Sequence, residues 1–216
     1  MAARMPLRDL TVLDIGCGDG VFVRELALAG AHVTGLECSA AQLALCREAA
    51  PVSDERYLAG VGQALPFSSG SFDAAVFRAS LHHVPAGEMA TALREARRVT
   101  RPGGEIFVFE PLATGAFFEL VRLIDDETEV RRLAQQAIGC AVEEGWLSRR
   151  HSAQLSAEAV YPDLDAVRRR FVNIDGTRAA LFDERRAEIE RVFNASGMAT
   201  EHGRLFTQTL RLDVLA

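Results

Sequence analysis

The sequence predicts an α/β fold, a mostly parallel sheet covered by helices on both faces. Three observations carry that prediction. Short apolar runs alternate with helical patterns from residue 11 to residue 110. The first run leads straight into a glycine-rich turn, "VLDIGCGDG" at Val12–Gly20, and then into a helix. At the other end, "LFTQTLRLDVLA" alternates apolar and polar residues, as a half-buried strand does.

The elements follow in order. "TVLDI" reads as a strand. "GVFVRELALAG" reads as a helix with Phe22, Leu26 and Ala29 on its buried face and Gly30 as its stop. "AHVTGLE" is a second strand. Ser39, with Gln42 three residues on, forms a capping box for a helix running to about Ala50, where Pro51 ends the pattern. A weak third strand lies near "ERYLAG", and "GVGQALPFSSGS" is a loop. "FDAAVFRA" is the fourth strand. Pro85 opens a helix to about Val99, burying Met89, Leu93, Ala96 and Val99. "RPGG" is a turn, and "EIFVFE" is a fifth strand closed by Pro111.

Beyond that point the pattern changes. Residues 114 to 145 read as one or two helices anchored by Phe117, Leu120, Val121, Ile124, Leu133 and Ile138. A short strand is expected at "AQLSAEAVY", a helix at "LDAVRRRF", and a single helix over "RAALFDERRAEIERVFNAS". In the last strand Leu210, Leu212 and Val214 oppose Thr209, Arg211 and Asp213. No repeat or low-complexity linker divides the 216 residues, a length that suits one domain with a sizeable core. Its expected parts are a ligand-binding core at about 11–111, a helical insert at about 112–175, and a closing helix and strands at about 176–216.

Composition removes several function classes. The net charge of −6 offers no global basic field to nucleic acid or an anionic membrane. The clusters Arg131-Arg132, Arg149-Arg150 and Arg168-Arg169-Arg170 read as solvated faces. All 24 basic residues are arginine. Without lysine there is no P-loop lysine for a nucleotide phosphate and no Schiff-base lysine. Cys17, Cys38, Cys46 and Cys140 show no CxxC spacing and suit a reduced compartment rather than a disulfide framework or zinc site. No signal-peptide core or run of about 18 apolar residues is visible, so a cytoplasmic location is expected.

In parallel sheets ligands bind outside the carboxyl ends of the strands. The loops after Ile15, Glu37, Arg78 and Glu110 therefore matter. A dinucleotide fingerprint needs GxGxxG; here Gly16, Gly18 and Gly20 are spaced GxGxG, and Val21 occupies the third glycine position. What remains is an acid at Asp14, a glycine turn, and a second strand ending in Glu37, a carboxylate suited to accept two hydrogen bonds from a ribose diol.

Taken together, "VLDIGCGDG", "GLECS", "GQALPFSSGSFDAAVFRASLHHV" and "ARRVTRPGGEIFVFEP" resemble the class I S-adenosylmethionine-dependent methyltransferases. The similarity is to the small-molecule group, such as the ubiquinone/menaquinone-biosynthesis and sugar O-methyltransferases, and covers about residues 11 to 111. It implies a Rossmann-like, mostly parallel seven-stranded sheet with an antiparallel carboxyl-terminal strand, and S-adenosyl-L-methionine as cofactor. By the same resemblance Gly16, Cys17 and Gly18 bring backbone against the cofactor. Asp14 orients that turn and helps hold the methionine ammonium, and Glu37 binds the ribose hydroxyls. Cys38 lies beside the adenine, Gly62 and Gln63 cover its edge, with Leu65 as an apolar contact. Arg78 and Ala79 meet the methionine group mainly through backbone.

Two departures stand out. The family often has an aspartate where Val61 stands, accepting from the adenine amino group, which valine cannot do. Relatives also carry helices before the first strand that close over the cofactor, whereas ten residues precede Thr11 here. The inserted helices after Pro111 are the expected substitute.

For chemistry, "RASLHH" places His82 and His83 after the fourth strand, and Glu110 ends the fifth. Histidine titrates near neutrality and suits proton abstraction from an alcohol or phenol acceptor. The pair equally suits packing or capping of the next helix. No Asp, Glu or Cys spacing completes a metal site around it. Phe117, Phe118, Trp146 and Tyr161 are candidate pocket aromatics, although core packing is the commoner role for any one of them. The resulting expectation is an O-methyltransferase of a small molecule, monomeric or homodimeric, without nucleic-acid or membrane partners. The rivals are a macromolecule methyltransferase, disfavoured by the lack of an Asn/Asp-Pro-Pro-aromatic motif, and a non-catalytic cofactor-binding regulatory partner.

Overall fold

Over its first half the chain folds in the order its apolar runs predict. The computed structural model describes residues 6–174 and 176–216. The expected end of the insert, residue 175, lies outside the described residues. Strands β1 (Thr11–Ile15), β2 (His32–Glu37), β3 (Arg56–Ala59), β4 (Phe72–Arg78) and β5 (Thr100–Pro111) pair in parallel. Helices α1 (Val21–Leu28), α2 (Ala40–Glu48) and α3 (Met89–Val99) connect them. Then come α4 (Ala116–Val121), α5 (Thr128–Glu143), β6 (Arg149–Tyr161), α6 (Leu164–Ile174), α7 (Arg178–Glu184), α8 (Arg186–Ser196), β7 (Met198–Thr200) and β8 (Gly203–Leu215). The sheet order is β3-β2-β1-β4-β5-β8-β6, with β7 antiparallel to β8. Among the described residues the sheet has eight strands, where seven are expected. The extra one, β7, has three exposed residues, so no apolar alternation announces it.

Two compact units make up the chain. The first runs up to Glu110 and adds Leu133–Ala153 and Arg211–Ala216; the second comprises Pro111–Arg132 and Gln154–Leu210. In the first, strand alternation supplies a core on each sheet face. Leu13, Ile15, Ala75, Phe77, Ile106 and Val108 pack with α3 and α5 through Leu93, Ala96, Ala134 and Ile138. Val12, Ala74, Val76 and Phe107 pack with α1 through Val23, Leu26 and Ala27. That buried face of α1 corrects the expected one. Phe22 is half-buried and Ala29 exposed, because Ala29 caps the helix and lies past its last turn.

Other differences have local causes. Ser39 caps α2 by accepting from the Gln42 N–H at 3.4 Å, but its own N–H donates to Glu37 Oε1 at 2.8 Å, so only half of the capping box forms. "RPGG" is not a turn before β5 but lies within it. Pairing with β4 jumps from Phe72↔Thr100 to Ala74↔Glu105, so Arg101–Gly104 bulge out of the ladder. Near the end of β8 both faces are covered, so Asp213 is buried rather than facing water. Arg149 Nε and Arg211 Nε lie 2.8 and 3.0 Å from its carboxylate.

The second unit packs α4, α6, α7 and α8 around Leu120, Val121, Val167, Phe182, Ile189 and Phe206. The expected single helix over 178–196 is two, broken at Arg185 (φ −95°, ψ 9°), whose guanidinium donates to the Leu123 carbonyl at 3.3 Å. No helix among the described residues is long and apolar enough to cross a membrane.

Candidate active site

The predicted cofactor and base residues lie in the first unit, at the carboxyl ends of β1 to β5; of the candidate aromatics only Trp146 does. The glycine turn after β1 sets the scene. Gly16, Gly18 and Gly20 have φ of +76°, +56° and +75°, the left-handed region that favours glycine. A Cβ on Gly16 would sit 2.6 Å from Ser80 Cβ. Four amides of the turn are already used: Gly16 and Cys17 donate to the Leu36 carbonyl, Gly20 to the Cys17 carbonyl, and Gly18 to Glu37 Oε2 at 2.8 Å. A phosphate-binding turn aims such amides outward at the anion. This turn spends them internally, and one is satisfied by a carboxylate.

The acids around it keep unused capacity. Glu37 is 8% exposed and takes one N–H per oxygen, from Gly18 and from Ser39, leaving lone pairs on both. Asp14 is 1% exposed, and its Oδ1 is buried with no hydrogen-bond partner among the described residues. Burial pushes its carboxyl up to about 7, offset in part by the Arg78 guanidinium and reinforced by Glu37. A buried carboxyl lacking a donor is costly, so a cationic or N–H-bearing ligand group fits this position. Arg78 itself lies over the Phe22 ring, 4.6 Å from its centroid.

Asp14 therefore makes stability fall with rising pH. The unfolded chain releases this proton near 3.8, the folded chain only near 7. Between those values the folded state binds more protons, so the contribution is lost as pH rises from about 4 to about 7 and is constant above. Asp14→Asn is expected to flatten the ligand-free denaturation midpoint across that window.

After β4 the chain turns sharply. Ala79 has φ +54°, rare for a residue with a Cβ, and its N–H bonds the Phe109 carbonyl at 2.7 Å. The turn aims two successive amides at Glu110, which is wholly buried. Glu110 Oε1 accepts from Ser80 N–H at 3.1 Å and Leu81 N–H at 2.9 Å. Its Oε2 lies 2.5 Å from His82 Nδ1. His82 is 3% exposed; His83 is exposed, its ring 4.1 Å from that of His82. Ser80 Oγ–H donates to the Ile15 carbonyl at 2.5 Å, joining this turn to the glycine turn.

The remaining candidates divide. Gly62 is buried against Ile15 Cγ2, and Gln63 beside it is half-buried. Cys38 is exposed. Cys17 contributes backbone only: its thiol is buried beside Gly35 and Val23, and burial pushes its pKa up. Leu65 is 5% exposed and packs in the core. Trp146 packs in the first unit under Arg94, whereas Phe117 stacks on Tyr161 in the second. Sequence reasoning missed Ser80. Its only signal was its place in "RASLHH", which cannot show that its Cβ fills the space a glycine leaves 64 residues earlier.

The chain is similar to known proteins in both sequence and fold. Residues 13–108 match the family model described as a methyltransferase domain. The malonyl-[acyl-carrier protein] O-methyltransferase of Pectobacterium atrosepticum is 34% identical over 182 residues, 82% of this chain and 69% of that protein. The ubiquinone biosynthesis O-methyltransferase of Pseudomonas paraeruginosa is 34% identical over 111 residues, 49% of this chain and 46% of that protein. In fold, the chain is similar to the S-adenosylmethionine-dependent methyltransferase of Mesorhizobium loti, with a TM-score of 0.53 at 18% identity, covering 96% of this chain and 93% of that one. A glycine turn with its amides turned inward, two buried acids beside it with accepting capacity to spare, and a relative matched over most of both chains lead to one family: this chain belongs to the class I S-adenosylmethionine-dependent methyltransferases.

Proposed function

We propose that this methyltransferase acts on an oxygen of a small-molecule acceptor, with His82 as the base and Glu110 as its orienting partner. The observation that carries the reading is the buried His82–Glu110 pair at 2.5 Å on the strand ends that hold the cofactor turn. Both relatives above are named O-methyltransferases. With Nδ1–H donating to Glu110, the accepting nitrogen of the neutral ring is Nε2, the atom that would take the acceptor's proton. Glu110 is fixed by two amides, so it holds the ring in one orientation. His83, its ring tilted by 43° against that of His82, is the second candidate base.

S-adenosylmethionine, when bound, supplies an electrophilic methyl group on a sulfonium. Asp14 would hold the amino-acid ammonium and Glu37 the ribose hydroxyls. Gly16, Cys17 and Gly18 would admit the ligand to the backbone, and Arg78 and Ala79 would meet the methionine portion through theirs. Cys38, Gly62 and Gln63 would border the adenine.

Two arms test the reading. Glu37→Gln should weaken S-adenosylhomocysteine binding by about 10- to 100-fold, because charge-assisted hydrogen bonds to the ribose are lost. Calorimetric titration measures it, and an unchanged affinity would remove Glu37 from the site. Turnover across alcohols, phenols and carboxylic acids then addresses the base. A carboxylate acceptor is already ionised and needs none, so turnover confined to carboxylic acids would overturn the role of His82.

A further inference from the structure

We infer that Glu95 and Arg98 of α3 are positioning residues for the adenine end of the cofactor, acting through the loop between β3 and β4; this rests on the proposed placement of Gly62 and Gln63 at the adenine edge. The loop lacks a ladder of its own. Its first turn, Val61–Ala64, is closed by Ala64 N–H to the Val61 carbonyl at 3.2 Å. Around Leu65 the polar contacts come from α3. Glu95 Oε2 accepts from Leu65 N–H at 2.9 Å. Arg98 Nη2 donates to the Leu65 carbonyl at 3.0 Å, and Nη1 to the Phe67 carbonyl at 2.6 Å. Glu95 and Arg98 meanwhile lock each other, Nε to Oε1 and Nη2 to Oε2, both at 2.7 Å. Both peptide groups of Leu65 are thus held by one bidentate pair.

Gly62, three residues before Leu65, rests on Ile15 Cγ2, where a Cβ would come to 3.1 Å. Gln63 sits between these two anchors. Val61 has no side-chain acceptor, so an adenine amino group would be read here by backbone or by Gln63, both carried by this loop. Hydrogen-bond strength falls steeply with misalignment; backbone can read a base only if it is held in place. Glu95 and Arg98 are not core residues: their side chains are 20% and 34% exposed. Their bonds go to each other and to this loop.

The test compares S-adenosylhomocysteine with S-inosylhomocysteine, whose base carries an oxygen in place of the amino group. Binding of both is measured by calorimetry for the wild type, Arg98→Ala, Arg98→Lys and Glu95→Gln, with a melting curve for each variant. The wild type should prefer the adenine ligand by about 10-fold or more. In Arg98→Ala that affinity should fall about 10-fold and the preference should collapse toward one. Arg98→Lys keeps charge but not the fork, and should move the same way. Glu95→Gln keeps an acceptor for Leu65 and weakens the lock, giving an intermediate loss even if Arg98→Ala does not fold. Equal weakening toward both ligands with the preference intact would mean general loosening and would overturn the inference, as would unchanged binding. A wild type that binds both ligands equally would overturn the loop's placement as well. One that binds neither would overturn the cofactor assignments themselves.

Discussion

Gly16→Ala is expected to cost roughly 2–5 kcal/mol of folding stability and to abolish S-adenosylhomocysteine binding. The left-handed backbone at φ +76° alone costs alanine about 1–2 kcal/mol. The new methyl would also lie 2.6 Å from Ser80 Cβ, which cannot retreat because its hydroxyl is bonded to the Ile15 carbonyl. The turn must therefore shift, and with it the space for the ligand. Gly18 is the control. Its φ is +56°, but nothing lies within 4 Å of an added Cβ. Gly18→Ala should lose only about 1–2 kcal/mol. Urea midpoints and calorimetric titration of both variants check this. Equal losses would show that the contact with Ser80 does not matter.

The second large effect concerns the buried pair. His82→Asn keeps an N–H donor near the Nδ1 position but has no basic nitrogen to take a proton. It should fold and bind cofactor, yet lose about 10²- to 10⁴-fold in turnover on an alcohol or phenol. Glu110→Ala is expected to be worse for the fold. It would strand Ser80 N–H, Leu81 N–H and the His82 ring, at about 3–5 kcal/mol in total. Glu110→Gln keeps an acceptor and should retain most stability while losing activity. If His82→Asn turns over at the wild-type rate and His83→Asn does not, the base is His83.

The parts legible in the sequence are those set by local pattern. β1, β2, β4 and α3 announce themselves by apolar period, and the departure from GxGxxG at Val21 excludes a dinucleotide turn. His82 and Glu110 could be picked out singly, because each ends a strand or follows one. What could not be read is that they touch. That depends on the left-handed turn at Ala79, and alanine carries no turn signal. Asp213 misleads for a related reason. Its place in an alternating strand predicts exposure, and only tertiary packing brings Arg149 alongside from β6. The break at Arg185 is equally silent, since arginine favours helix interiors.

The turn at Ala79 also bears on how the chain reaches its native state. Glu110 finds its donors 28 to 30 residues back along the chain. Joining β4 to β5 with that turn wrongly set would draw a carboxylate out of water with nothing to receive it, so misjoined chains should reopen rather than accumulate. The residues that orient a proton acceptor would thus also proofread strand pairing. Glu110→Gln, neutral and cheaper to bury, should let such misjoined forms persist, visible as a slow refolding phase that the wild type lacks.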